Sequence, residues 1–354
     1  MKILVTGACG FVGSTLARAW VEMGAHELLG VDSLVRPGSE SNRALLRRLG
    51  VRLVHADLRS ASDFDSLPAV DVVVDAAANP SVLAGVDGSV SSRQVVEHNL
   101  AGTINILEYC RKHQSAFVLL STSRVYAIEP LSRLAMRVTD GAFEPDPEQT
   151  LPVGLSRLGV DEAFSVTPPL SLYGATKLAS ETIALEYGET YSFPVWINRC
   201  GVLAGAGQFG RADQGIYAFW INSWLRRRPM RYIGFDGEGH QVRDCLHPAD
   251  LVPLIESQVR APGSVTARVV NVSGGVESAM SLRQLSEWCG EHIGQHEVGQ
   301  DLRPRRFDIP WLVLNSTKAT EVWDWRPSRA TTDILAEILA HAREHPEWLE
   351  LSES

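Results

Sequence analysis

The sequence predicts an α/β protein built on a doubly wound parallel sheet, with a smaller domain towards the C-terminus. Three observations carry that prediction. Short apolar runs of strand length alternate with longer helical patterns over the first 199 residues, a glycine-rich turn joins the first run to the first helix, and after Arg199 the texture changes to glycine-rich loops with short strands and helices.

The first element, Lys2 to Thr6 (KILVT), has the short apolar character of a buried parallel strand. Gly7-Ala8-Cys9-Gly10-Phe11-Val12-Gly13 follows at once and leads into a helical pattern from Ser14 to Met23. In such a turn Gly7 permits the tight reversal, Gly10 lets a pyrophosphate approach the backbone, and Gly13 allows close helix packing, while the helix N-terminus offers amide donors. The spacing is G-x-x-G-x-x-G, a departure from the commoner G-x-G-x-x-G fingerprint. A second strand, Glu27 to Val31, ends at Asp32, where a carboxylate can accept both hydroxyls of an adenosine ribose and repel a 2′-phosphate. These features predict a Rossmann-type fold that binds NAD, with Arg36 the one residue pulling towards NADP.

Further strands are predicted at Val51 to His55, Val70 to Ala77, Phe117 to Ser121 and Val195 to Arg199. Helices are predicted at Ser39 to Leu49, Ser91 to Lys112 and Tyr173 to Tyr191, then at Ser281 to His292 and Thr331 to His345. The first domain is expected over 1–199 with 243–272 returning to it, and the second over 200–242 and 273–345. Residues 127–172 form a long connection with prolines at 130, 145, 147, 152, 168 and 169, so it cannot be one regular element. The tail beyond Trp348 is expected to fray.

Composition sets limits. A chain of 354 residues that is 45% apolar can bury a large core, and its net charge of −9 offers no basic footprint for nucleic acid. Its five cysteines (Cys9, Cys110, Cys200, Cys245 and Cys289) are scattered without a Cys-x-x-Cys, so neither a disulfide framework nor a metal site is predicted. No apolar run of about twenty residues suggests a membrane span. The start runs directly into the first strand, which predicts a cytoplasmic protein.

Tyr173 and Lys177 lie four apart on one predicted helix, so a cation stands one turn from a phenol. A nearby cation lowers a phenol's pKa and makes Tyr173 a candidate general base.

With these motifs come Asp57-Leu58-Arg59, Asp75-Ala76-Ala77-Ala78, Asn99-Leu100-Ala101-Gly102-Thr103, Ser121 to Tyr126 (STSRVY), Tyr173 to Lys177 (YGATK), Arg243 to His247 (RDCLH) and Trp325-Arg326-Pro327. The ordered set resembles the extended short-chain dehydrogenase/reductases, and among them the nucleotide-sugar epimerases, over residues 2–327. The stretches Gln208 to Gly215 and Gly239 to Asp244, with the long 127–172 connection, resemble the CDP-paratose 2-epimerases, also called CDP-tyvelose epimerases.

The resemblance implies a nucleotide-diphosphate sugar as substrate, CDP-linked by preference. It implies Thr122 orienting a sugar oxygen, Tyr173 as base, and Lys177 lowering its pKa and holding the nicotinamide ribose. Oxidation of a sugar carbon by NAD, rotation of the keto-sugar and its reduction on the other face would invert one centre. Cofactor contacts are implied for Gly7, Cys9, Gly10, Phe11, Val12, Gly13, Asp32, Asp57, Leu58, Ala76, Ala77, Ala78 and Asn99, besides Tyr173 and Lys177. Substrate contacts are implied for Thr122, Arg199, Gln208, Asp213, Gln214, Gln241, Arg243 and Arg305, with the 127–172 connection over the sugar pocket. Arg226-Arg227-Arg228 reads as a solvated helix end, and His247 as structural. Ser123-Arg124 stands where related 4,6-dehydratases carry an Asp-Glu pair, which disfavours dehydration. A homodimer is implied through the helices around 95–112 and 173–191. The alternatives are a UDP-hexose 4-epimerase, using the same Tyr, Lys and Thr, and a non-catalytic dinucleotide-sensing protein, whose relatives usually lose the Tyr or Lys.

Overall fold

Seven parallel strands form the principal sheet of the computed structural model, which describes residues 1–86, 88, 91–211, 214–261 and 267–353. They are β1 (Lys2–Thr6), β2 (Glu27–Asp32), β3 (Arg52–His55), β4 (Val72–Asp75), β5 (Ala116–Thr122), β6 (Val195–Cys200) and β7 (Val269–Val272). Their order is β3-β2-β1-β4-β5-β6-β7, every pairing parallel. The order reverses between β1 and β4, and the crevice beyond those two strand ends is where a doubly wound sheet binds its ligand.

Strand alternation builds both faces. Ile3 and Val5 of β1, with Val72 and Val74 of β4, pack under the helices Phe11–Met23 and Leu251–Arg260. Leu4, Val73, Phe117 and Leu119 pack on the opposite face, where Ile106, Leu107 and Ala184 belong to the helices Gly102–His113 and Leu172–Tyr191. Being covered on both sides explains why the strands read as short apolar runs.

The second layer is smaller. Val242–Leu246 pairs in parallel with Val202–Leu203 and Trp311–Leu312 and antiparallel with Ala279–Ser281. The helices Ile216–Leu225, Leu282–His292 and Thr331–Glu344 share one apolar cluster beside it. Val242–Leu246, placed by the sequence at the start of the segment returning to the first domain, thus pairs within this second sheet, while Leu246 and the helix Leu251–Arg260 join the first domain's core. A second departure comes at Thr317–Trp323, where Ala319, Trp323 and Trp325 are buried in the first domain's core.

The 127–172 connection is built from the short helix Ile128–Ser132 and two small hairpins. Leu131, Val160 and Phe164 pack with Trp311 and Val313, and Val160 exchanges backbone bonds with Val313 and Asn315 at 2.8 Å. Apolar side chains among the prolines thus make it a brace between the two domains.

Candidate active site

The turn after β1 meets the geometric demands of a phosphate cradle. Gly7 has φ +63°, and a Cβ there would lie 2.9 Å from Cα of Ala77 in the loop after β4. A Cβ on Gly13 would stand 2.2 Å from the Gly7 carbonyl oxygen, so the helix can begin this close to the turn only with glycine. At Gly10 the nearest atom is 3.2 Å away, and its outer side is open. Asp32 at the end of β2 accepts from the Cys9 amide at 2.8 Å and the Leu34 amide at 2.7 Å, and burial raises its carboxyl's pKa. These residues fit a dinucleotide: a cradle, an open face at Gly10, and a carboxylate beside it.

Arg36 is engaged elsewhere. Its guanidinium donates to Gln214 Oε1 and the Phe209 carbonyl, both at 2.9 Å, and Gly38 abuts the Phe209 ring. Trp348 stacks on the other side of that ring, at 5.1 Å between centroids, and its indole N–H donates to the Gln208 carbonyl. Gln208, Phe209 and Gln214 are thus tied to Arg36 and Trp348.

The helix bearing Tyr173 starts at Leu172 because the Ser171 hydroxyl accepts from the Gly174 amide at 3.0 Å. A Cβ on Gly174 would lie 2.1 Å from the Arg124 carbonyl oxygen; its absence lets the helix press against the segment after β5. Tyr173 and Thr122 are thereby brought together, both buried. Burial pushes the Tyr173 phenol up to about 12, while a hydrogen bond with Thr122 and then the Arg124 charge act in the opposite direction. Lys177 is buried with Asp75, Glu181 and Cys200 around it; burial lowers its pKa and the two carboxylates oppose that. Thr122 and Arg124 thus ease Tyr173 ionisation in this structure. The sequence points to Lys177 for that role; Arg124 comes into play only because the Tyr173 helix packs against the segment after β5.

Asn99 acts as a clamp. It lies in the π-helical turn Glu97–Ala101, accepts from the Asn79 amide at 2.8 Å, and donates to the Asn79 carbonyl and to Thr176 Oγ1. It fixes the loop after β4 to the helix of Tyr173 and Lys177, next to Ala76, Ala77 and Ala78.

A cavity of about 850 Å³, open to solvent, is lined at one point by Arg124, two residues after Thr122; Thr122, Tyr173 and Lys177 are not themselves among its lining residues. Val202, Ile216, Tyr217, Met280 and Leu285 form its apolar wall. Among the described residues its charged lining is four arginines, Arg124, Arg243, Arg305 and Arg306, against one carboxylate, Asp308. Arg243 is buried and donates to Asp308 Oδ1 at 3.2 Å.

The sequence model of the NAD dependent epimerase/dehydratase family matches residues 3–273. The chain belongs to that family. It is an NAD-dependent enzyme of the nucleotide-sugar epimerase and dehydratase class, on the extended short-chain dehydrogenase/reductase fold. It is 26% identical over 346 residues to a CDP-paratose 2-epimerase of Salmonella typhi, covering 94% of this chain and 96% of that one. It is 29% identical over 292 residues to an uncharacterized UDP-glucose epimerase of Bacillus subtilis, covering 81% of this chain and 80% of that one. Among solved structures, a UDP-glucose 4-epimerase of Thermus thermophilus in complex with NAD superposes with TM-score 0.75 at 25% identity, covering 97% of this chain and 99% of that one. A UDP-glucuronic acid 4-epimerase of Bacillus cereus, complexed with UDP-glucuronic acid and NAD, has the same fold at TM-score 0.73 and 22% identity, with the same coverage.

The family's expected substrate contacts are only partly gathered here. Gln214, Gln241, Arg243 and Arg305 line the cavity, and Gln241 Oε1 is buried without a hydrogen-bond partner. Arg199 is not among the lining residues. It is buried at the end of β6, where Nε and Nη2 grip Glu181 at 2.7 to 3.2 Å and Nη1 donates to the Tyr126 hydroxyl, which makes it an internal ion pair. Gln208 likewise turns away, donating to the Leu203 carbonyl at 2.7 Å. Asp213 lies outside the described residues.

On the cofactor side, the Asp57 carboxylate is held by Arg59, which lowers its pKa, and the Leu58 carbonyl accepts from Asn105. Phe11 and Val12 open the glycine-turn helix. No residue of 127–172 lines the cavity; the connection touches its wall through Ser132, whose hydroxyl donates to the Asp308 carbonyl. Arg226 and Arg227 follow the end of the helix Ile216–Leu225, Arg227 exposed, and donate to carbonyls of Ala342 and Gln295. His247 accepts from the Ala249 amide through Nδ1 and faces Glu337 at 3.4 Å. Among the described residues no cluster of side chains could hold a metal, all five cysteines are free, and no helix is long and apolar enough to cross a membrane.

Proposed function

We propose that this enzyme is an epimerase acting at C2 of a CDP-linked deoxyhexose. The observation that carries the reading is the cavity itself: four arginines and one carboxylate suit a diphosphate, and its Arg124 side adjoins the Thr122 and Tyr173 pair. The CDP preference is supported by the likeness to the Salmonella CDP-paratose 2-epimerase over nearly the full length of both chains.

In this reading Thr122 holds the sugar hydroxyl at the reacting carbon and Tyr173 removes its proton, then returns it when the centre is inverted. Lys177 and Asp32 hold the cofactor's two riboses, and the Gly7 to Gly13 turn holds its pyrophosphate. Bound NAD supplies a reversible hydride acceptor. Ser123 and Arg124 offer no acid and base for eliminating water, so epimerisation is favoured over dehydration.

We further propose a cytoplasmic homodimer, paired through the helical stretch 92–113 and the helix Leu172–Tyr191. The second reading, a UDP-sugar 4-epimerase, is favoured by the likeness to the Bacillus subtilis protein and to solved UDP-sugar 4-epimerases. Mass spectrometry of ligand released from the purified protein, then incubation with a panel of CDP-, UDP- and GDP-sugars, tests the choice. Turnover of a CDP-deoxyhexose with inversion at C2 supports the proposal; turnover confined to UDP-sugars at C4 replaces it with the second reading.

A further inference from the structure

Among the four cavity arginines Arg124 stands apart, next to Tyr173. Its guanidinium lines the cavity with Arg243 and Arg305, and the like charges of those two act on it unfavourably. Of its five N–H donors, one hydrogen bond is made, Nη1 to the Phe307 carbonyl at 3.2 Å. Asp308 attracts the charge, but its carboxylate is hydrogen-bonded to Arg243 and not to Arg124. A guanidinium so placed raises the energy of the empty site. It becomes favourable when an anion enters and takes the remaining donors, and a phosphate accepts two at once from the planar fork. Position decides which phosphate: Arg124 lies two residues from Thr122, so its end of the cavity is the sugar end.

We propose that Arg124 is a substrate ligand that binds the sugar-proximal phosphate of the nucleotide diphosphate, between Arg243 and Arg305 on one side and Tyr173 on the other. The inference rests on the nucleotide-diphosphate reading above but not on which base or carbon is correct.

Equilibrium binding of CDP against CMP, and of UDP against UMP, tests it on the NAD-loaded protein. The wild type is expected to prefer the diphosphate of whichever base it binds. Arg124→Gln should cut that preference roughly tenfold or more, the scale of a lost hydrogen bond to a charged group, and leave monophosphate affinity nearly unchanged. Arg124→Lys keeps the charge without the fork and should retain part of the preference; it also serves should the glutamine variant fail to fold. A preference that survives in both variants, equal weakening of mono- and diphosphate, or a wild type indifferent to the second phosphate would overturn the proposal. Which base binds bears separately on the CDP reading.

Discussion

Replacing Arg199 by methionine separates an internal ion pair from a substrate contact. The Arg199 and Glu181 side chains are 9% and 3% exposed, and three guanidinium contacts of 2.7 to 3.2 Å join them. Ser121 also donates to Glu181. Arg199→Met would leave Glu181 charged or forced to protonate in a dry site, a cost of roughly 3–5 kcal/mol. That is a large part of a typical total stability of about 5–15 kcal/mol. Removing both charges with Arg199→Met and Glu181→Leu should recover most of the loss, since an apolar pair of similar volume is often neutral. The assay is urea unfolding followed by tryptophan fluorescence, with KM measured in parallel. The double variant should regain stability yet turn over more slowly, because Glu181 also supports the charge on Lys177. A single variant destabilised by less than about 1 kcal/mol, the scale of an exposed pair, with a raised KM would refute this reasoning and restore Arg199 to the substrate site.

Tyr173→Phe should leave NAD binding nearly intact and lower turnover by about 100-fold or more, the scale of a lost general base, with Thr122→Ala costing less; isothermal titration and initial rates check both. Substrate deuterated at the inverted carbon should keep its label, and mass spectrometry showing exchange with solvent would remove the hydride mechanism. Asp32→Ala should weaken NAD and narrow its preference over NADP, and should also loosen the Cys9 turn, seen as a lower melting temperature without cofactor. His341 is held neutral by burial, its pKa lowered from 6.5 to about 4. The unfolded chain therefore binds the proton first, so this contribution to stability is complete above pH 6.5 and is lost as pH falls towards 4. Melting temperatures at pH 7 and 5 should diverge less in His341→Gln than in the wild type.

The parts of the fold that were legible are those set by local chemistry. A glycine turn between an apolar strand and a helix needs no distant partner to be recognised, and six of the seven sheet strands announce themselves as apolar runs. Val269–Val272 does not, because four residues with an asparagine among them gain strand character only by pairing with β6. Arg199 was misread because a charge at a strand end near the site looks like a ligand. Glu181, one helical turn beyond Lys177, is its partner in the structure, a strand-to-helix pairing that only the fold brings about. The π-turn that carries Asn99 leaves no mark in a sequence, since its residues are ordinary helix formers and only the bond to Asn79 shows what the extra residue does.

The hold on Gln208 and Phe209 gives the C-terminus an unforeseen reach. The sequence predicts fraying beyond Trp348, and Trp348 itself, at the edge of that tail, packs on Phe209 while Arg36 beside the cofactor turn binds the Phe209 carbonyl. Gln214, which Arg36 also binds, lines the cavity. A chain shortened ahead of Trp348 would keep every residue assigned a chemical role and still lose the ring that stacks on Phe209 and the indole N–H that holds the Gln208 carbonyl.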